Sequence, residues 1–536
     1  MKKTGCFIGL FIFVAFLSAQ PAIEWQKTFG GTNSDRAESV QQTLDGGYIL
    51  AGGTTSNDGD VFGNHGGIDF WIVKMDSLGS AQWKKAYGGS DNEQAYSIRQ
   101  TTDKGYIVAG FTLSNDGDVS GNHGFYDAWV LKLDSVGAIQ WQKALGGSGW
   151  EEAWSVNQTT DGGYIISGWS TSSDGDVTIN HGSFDYWIVK LDNFGNIEWQ
   201  RSHGGSNEDL SYAVQPTTDG GYIVSGESES NDGNVTGNHG SSDYWVLKLN
   251  YDGKIEWEKS LGGTSLDRAN DIRQTRDGGF IVFEQVYSNN GDVTGHHRYN
   301  DLWVVKLSDI GEIVWQKALG GSNEDFATSI YQTSDGGYAM TGQTQSNNGD
   351  VPGNDGGADL WVLKLTEAGE IEWQKSLGGT LAEWGSSIQQ TNDNGYILTG
   401  YAWSSNGDVS GVQGKTDYWI VKLSPEFSGT EEISIPQLQI SPNPTQQFIT
   451  LNIPTQETNI TISISNLLGQ QLHQKIISNG EPINTSALLS GAYLINATTS
   501  SGKIYTGKFI KQDYKNQIFI KIIPLPVGSI FINCIY

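Results

Sequence analysis

The chain has 536 residues with 71 Gly, 19 Trp and 11 Pro, a composition that favours short strands and tight turns over long helices. A formal net charge of -28 leaves no basic field for nucleic acid or an anionic membrane surface, and suits a soluble protein or one that gathers divalent cations. All-β architecture is the first expectation.

Residues 1–19 read as a secretory signal: two lysines, an apolar run, then Leu17-Ser18-Ala19 before Gln20. The run is short for a membrane anchor, so no transmembrane segment is expected in the mature chain. Cleavage would remove Cys6 and leave only Cys534, so no disulfide forms within the chain and packing alone must stabilise it.

A strict repeat follows. Trp25, Trp83, Trp141, Trp199, Trp257, Trp315 and Trp373 stand 58 residues apart without insertion. Each unit carries four strand signals, in the second unit "AYSIRQT" from Ala95, "GYIVAGFT" from Gly105, "DAWVLKL" from Asp127 and "AIQWQKAL" from Ala138. Four antiparallel strands per repeat describe a propeller blade, so residues 20–424 are expected to form a seven-bladed β-propeller of 58-residue blades. In "DYWIVKL", Trp187, Val189 and Leu191 alternate with Tyr186, Ile188 and Lys190, so both faces need a neighbour. The chain opens on a fourth-strand sequence with no blade before it, and the last unit stops after its third strand. Ala22 to Phe29 is therefore expected to complete the blade between Ser386 and Leu423 and remove an open edge.

"WQKALGGSNEDFATSIYQTSDGGYAMTGQTQSNNGD", from Trp315, resembles bacterial extracellular seven-bladed propeller (SBBP) repeats, with their recurring Trp, Gly-Gly, acidic residue and Asp-x-Gly turn. The resemblance covers about 400 residues. It implies a propeller on a secreted protein and no particular reaction.

Residues present in every unit are expected to build the blade: Trp71, Lys74, the Gly30-Gly31 pair and their equivalents, each lysine pairing with a carboxylate. In "QTTDGGY", Asp161 and Gly163 resemble the Asp-box of sialidase propellers, whose carboxylate accepts turn N–H groups. A sialidase would also need clustered arginines, and Arg36, Arg99, Arg268 and Arg273 show no such arrangement along the chain, which leaves a hairpin turn.

Two readings of the loop "SNDGDVSGNHG" stand. Asp58, Asp60, Asp116, Asp118, Asp174 and Asp176 are candidate Ca²⁺ ligands because hard oxygens crowd a Gly-permitted loop, while Asn-Gly and Asp-Gly turn chemistry explains the same residues without metal. His65, His123, His181 and His239 recur beside it, but Asp355 and Gln413 take that place later, against a transition metal.

After each Gly-Gly an acid persists (Asp35, Glu93, Glu151, Asp209, Asp267, Asp325, Glu383) while its neighbours vary. Tyr96, Trp150, Trp154, Tyr212, Phe326 and Trp384 among those neighbours are the candidate ligand-binding residues, placed where connections gather near a central channel and suited to sugar rings or a peptide. The plainer alternative is packing between blades. The fifth unit departs most, with Glu284 for Gly and "HHRYND" from His296 to Asp301.

Residues 425–438 form a polar linker, and alternating segments in residues 439–512 predict a small β-sandwich of about seven strands. Pro442, Asn443, Pro444, Leu468-Gly469, Gly491, Tyr493 and Lys508-Phe509-Ile510-Lys511 resemble the landmarks of the type IX secretion C-terminal sorting domain. That resemblance implies the type IX machinery as partner and a Gram-negative outer surface or the medium as destination. Residues 513–536 are an apolar extension the family lacks, read as a frameshifted gene end or misread stop. Together these features point to a non-enzymatic binding or adhesion scaffold, with a carbohydrate-active hydrolase or lyase, or a structural matrix component, as alternatives.

Overall fold

A strand buried on both faces has to be covered twice, and the chain achieves this by stacking its repeats. The computed structural model describes residues 20–426 apart from 298, 352 and 355, and residues 438–453, 459–466, 470–500 and 503–512. The leader 1–19, linker residues 427–437, Leu468-Gly469, Asp355 and the extension 513–536 lie outside the described residues. There are two compact units, Met1–Phe427 and Ser428–Tyr536.

Among the described residues, the first unit holds seven antiparallel sheets of four strands each, a propeller-like repeat fold. The second sheet runs Glu93–Gln100, Tyr106–Thr112, Asp127–Leu133 and Ile139–Leu145, paired in that order, as the sequence predicts. Ile23–Phe29 pairs antiparallel with Asp417–Leu423, so the chain's first strand completes the last sheet.

Third-strand side chains divide as expected. Trp187, Val189 and Leu191 enter one core and Tyr186 and Ile188 the next. The Tyr186 ring lies 4.6 Å from Trp245 of the following sheet, and its hydroxyl donates to the Trp245 carbonyl at 2.9 Å. Between the seventh sheet and the first, Tyr418 repeats this with Trp71, at 4.5 Å between rings and 2.8 Å to the carbonyl. A turn N–H of one sheet also reaches a glutamine of the next: Leu44 to Gln100 (2.8 Å), Thr218 to Gln274 (2.8 Å) and, across the junction of last and first, Asn392 to Gln42 (2.9 Å). Pro216 interrupts the series in the fourth sheet.

The repeated lysines are buried and paired. Lys190 Nζ reaches Asp161 at 2.9 Å and Glu198 at 2.8 Å, while Asp161 also accepts the Gly163 N–H at 2.9 Å, the hairpin role expected of it. Gly88 sits so close to the Asp69 and Glu93 carboxylates that a Cβ would collide with both, which accounts for glycine there.

The second unit has a three-stranded sheet (Gln439–Ser441, Phe448–Asn452, Ile483–Asn484) and a four-stranded one (Gln471–Ile477, Ile460–Asn466, Gly491–Thr499, Ile504–Lys511 in that order). Ile460, Ile462, Ile464, Ile495, Tyr505 and Phe509 share its core.

Candidate functional site: a cavity ringed by one bulge per sheet

Seven strands, Asp35–Gln42, Glu93–Gln100, Glu151–Gln158, Asp209–Pro216, Asp267–Gln274, Asp325–Gln332 and Glu383–Gln390, line one cavity of about 350 Å³. Each breaks register with its neighbour at the same place, between Ala37 and Ser39, Ala95 and Ser97, Ala153 and Ser155, and so on. A bulge leaves one residue unpaired and re-aims its side chain. Here the bulged residues are Glu38, Tyr96, Trp154, Tyr212, Asn270, Thr328 and Ser386, and all seven face the cavity. The backbone device is constant and the side chain is not.

The lining has two aromatic sides. Tyr96 and Trp154 stack at 4.0 Å with 6° between planes, and Tyr212 meets Trp154 edge-on at 5.2 Å. Across the ring, Trp384 and Tyr401 lie nearly parallel at 6.0 Å, with Phe326 against Trp384 at 5.0 Å and the Arg36 guanidinium 5.1 Å from the Tyr401 ring.

Burial perturbs the ionisable groups. It pushes Glu38 up to about 7, against the pull of Arg36 and Ser386. Glu152 also rises to about 7 by burial, offset in part by Tyr96 and Trp154. Arg99 is drawn down to about 10 by burial and then by Arg273, with Asp271 opposing. Arg268 pairs with Glu227 at 2.8 Å and Arg273 with Asp271 at 2.8 Å. Among the described residues Arg99 has no carboxylate at ion-pair distance; its Nη1 donates to the Ile98 carbonyl at 2.8 Å and Ser39 Oγ at 3.3 Å.

Four predicted binding residues, Tyr96, Trp154, Tyr212 and Trp384, line the cavity, and Phe326 packs behind Trp384. Trp150 does not line it: 42% exposed, it stacks on Phe125 at 5.4 Å outside the cavity. The persistent acids are not part of the concave surface either. Asp35 is fully buried and accepts from the Gly31 N–H (2.8 Å), Ser56 Oγ (2.9 Å) and Thr54 Oγ1, and so fastens the connection between sheets. The arginines are corrected in the other direction. Arg99, Arg268 and Arg273 reach one cavity and Arg36 stacks on its wall, an arrangement invisible along the chain but explicit once numbers are compared by repeat.

The candidate metal ligands are occupied by loop contacts. Asp58 accepts the Thr32 N–H at 2.7 Å, Asp116 the Ser90 N–H at 2.7 Å and Asp174 the Ser148 N–H at 2.8 Å. Asp118 and Asp176 accept from Gly88 (3.3 Å) and Gly146 (3.2 Å), and Asp60 pairs with Lys84 at 2.5 Å. Among the described residues the convergent acidic trio is Asp335, Glu372 and Glu426, and Lys364 already holds the first two at 2.8 and 3.0 Å. In the fifth repeat, His297 meets Asp301 at 3.1 Å as His65 meets Asp69 at 2.8 Å, so that part of "HHRYND" repeats the scaffold; Arg298 and the Glu284 side chain lie outside the described residues.

In the second unit the sorting landmarks converge. Asn443 donates to the Lys508 carbonyl at 3.1 Å and accepts the Ile510 N–H at 2.9 Å, tying Pro442-Asn443-Pro444 to the final strand. Tyr493 stacks on Phe509 at 5.6 Å, Gly491 pairs with Lys511, and Lys511 is buried.

Residues 439–512 match the secretion system C-terminal sorting domain. The protein is therefore exported by type IX secretion to the cell surface or the extracellular space. The regulatory protein FlaEY of Caulobacter vibrioides is 26% identical over 224 residues, 38% of this chain and 23% of that relative, so the chain spans under a quarter of its length. BBS1N, solved in complex with ARL6DN, is 10% identical, with a TM-score of 0.43 over 76% of this chain and 98% of its own. Puromycin hydrolase is 11% identical, with a TM-score of 0.42 over 89% of this chain and 60% of its own. No helix among the described residues is long and apolar enough to cross a membrane.

Proposed function

We propose that residues 20–424 form a closed seven-bladed propeller acting as a non-enzymatic binding scaffold, and that its ligand occupies the central cavity. Residues 1–19 direct passage across the inner membrane, 425–438 link, and 439–512 fold as a β-sandwich whose Pro442, Asn443, Pro444, Gly469, Gly491, Tyr493, Lys508 and Lys511 engage the export machinery. One observation carries the binding assignment: the bulge position recurs in all seven lining strands, yet holds six residue types. Scaffold positions repeat their residue; a position that keeps its geometry and changes its chemistry serves a ligand without sevenfold symmetry. Tyr96, Trp154, Tyr212 and Trp384 contact that ligand, Phe326 supports Trp384, and Trp150 belongs to an outer platform.

A glycan and peptide array probed with the secreted protein and its Trp154→Ala variant tests this. Binding to at least one array member is expected to disappear in the variant; unchanged binding would refute the cavity as the site. In the loops, turn chemistry accounts for Asp58, Asp60, Asp116, Asp118, Asp174 and Asp176, so millimolar Ca²⁺ added to chelator-treated protein should not move its melting temperature. An upward shift would restore calcium.

A second reading, hydrolysis of a cavity-bound glycan, is favoured by Glu38, which lines the cavity and is pushed up to about 7, where general acids operate. It requires turnover that Glu38→Gln abolishes.

A further inference from the structure

The aromatic lining does not stop at the cavity. From Trp154 the rings continue to Tyr96 (4.0 Å), Phe111 (6.0 Å), Tyr126 (4.9 Å), Trp150 (5.2 Å) and finally Phe125 (5.4 Å, planes 19° apart). The inner end is sheltered, whereas Phe125 and Trp150 are 50% and 42% exposed. The fold does not require this track. Where the second repeat has Phe125 the neighbouring ones have Gly67 and Ser183, and where the third has Trp150 its neighbours have Asn92 and Glu208. Phe111 is buried between the two ends, and the exposed pair at the outer end, unneeded by the scaffold, forms a surface for a partner long enough to reach from it to the cavity.

Resting on the cavity reading, we propose that the ligand is an acidic glycan, seated on the outer Phe125–Trp150 pair with one anionic sugar inside the cavity. Ring faces carry negative charge density and attract the weakly positive C–H faces of a pyranose, which suits stacking on the exposed Phe125–Trp150 pair outside the cavity. Ser39, Ser97, Asn270 and Thr328 on the cavity wall offer the mixed donors and acceptors that sugar hydroxyls need. The anion is called for by Arg99. In a chain of net charge -28, this guanidinium faces the cavity with no carboxylate at ion-pair distance among the described residues, while Arg268 and Arg273 each have one. A planar fork with donors to spare matches a carboxylate or a sulfate in two-point contact. A peptide would look instead for an exposed strand edge or aliphatic pockets, and the cavity wall supplies Ala213 as its one aliphatic residue.

Titration calorimetry of the full secreted protein with three probes tests this: oligogalacturonate, a sulfated chondroitin oligosaccharide and neutral cellohexaose. Either acidic oligomer should bind about tenfold or more tighter than the neutral one, and the tighter of the two identifies the anion as carboxylate or sulfate. Arg99→Gln should erase that preference with the melting temperature kept, and Arg99→Lys should restore part of it. Phe125→Ala with Trp150→Ala should weaken a hexasaccharide of the preferred acidic probe several-fold and leave its disaccharide unchanged. Equal affinity for neutral and acidic oligomers, or a preference that survives Arg99→Gln, overturns the acidic-glycan assignment and leaves the cavity reading standing. Peptide binding lost in Trp154→Ala, with no glycan bound, does the same. Glycan binding indifferent to Trp154→Ala defeats the cavity reading itself.

Discussion

The third strand of each sheet and the strand that lines the cavity are built from the same repeat under opposite constraints. In third strands such as Asp127–Leu133, Asp185–Leu191 and Asp243–Leu249 every residue is buried, and tryptophan recurs at the same place because it must fill the same space between two sheets. In the lining strands the bulge residue meets the next sheet differently each time, Tyr96 by stacking on Trp154 and Asn270 by donating to the Thr328 carbonyl at 2.7 Å, and it is Glu, Tyr, Trp, Tyr, Asn, Thr and Ser in turn. Identity under constraint marks the scaffold; diversity on a fixed backbone marks the surface open to specialisation.

The largest effect is expected where the first strand closes the last sheet. Deleting residues 22–29 exposes the Asp417–Leu423 edge, and we expect loss of cooperative unfolding together with aggregation, read by calorimetry and light scattering. Next come paired tryptophan truncations. Trp245→Ala should cost about 3–5 kcal/mol in denaturant unfolding, as a fully enclosed ring leaves a cavity. Trp154→Ala should cost about 1 kcal/mol, the scale of its stacking on Tyr96, and remove ligand binding. Equal costs would erase the distinction between the two strands.

Acid should act with two signs. Burial lifts Asp209, Asp243 and Asp417 to about 6 from an ordinary 3.8. The folded state therefore holds protons that the unfolded state has released, and stability should rise as pH falls from 7 through about 6 toward 3.8. Asp161 and Asp219, held at about 2 against burial by Thr159 and Thr217 and by Lys190 and Lys248, contribute stability above 3.8 that is lost as pH falls toward 2. The melting temperature should peak near about pH 4–5. A steady fall from pH 7 to 4 would contradict the buried carboxyl assignment. The smallest effect sharpens the symmetry: Gln42→Ala and Gln274→Ala each remove one link between sheets and should cost the same, about 1 kcal/mol. A larger cost at Gln42 would make the junction of first and last sheets unlike the rest.

Repetition made the scaffold legible. A period without insertions located Trp187 and its equivalents, the alternation in "DYWIVKL" announced two buried faces, and the orphan fourth strand at the start announced its pairing with the last sheet. The sorting landmarks were legible for a similar reason, since turn prolines and terminal lysines keep characteristic spacing. The cavity was only half legible. Nothing in "DRAESVQQ" declares that Glu38 is bulged, because a bulge is a property of two strands in register. Arg99 and Arg273 looked unrelated at a separation of 174, which is three repeats, so both sit at one level of the ring. Tryptophan offered the missed signal: fourteen of the 19 obey the period, and the five that do not, Trp150, Trp154, Trp169, Trp384 and Trp403, all belong to the two aromatic clusters at and beside the cavity.

The most direct measurement is ligand affinity in Trp154→Ala alongside its unfolding free energy, using whichever array member the wild-type secreted protein retains. A bulge residue serving the ligand predicts at least about a tenfold loss of affinity with the fold nearly as stable as before. Undiminished affinity, or a stability loss as large as that of Trp245→Ala, would place Trp154 with the scaffold and contradict the account.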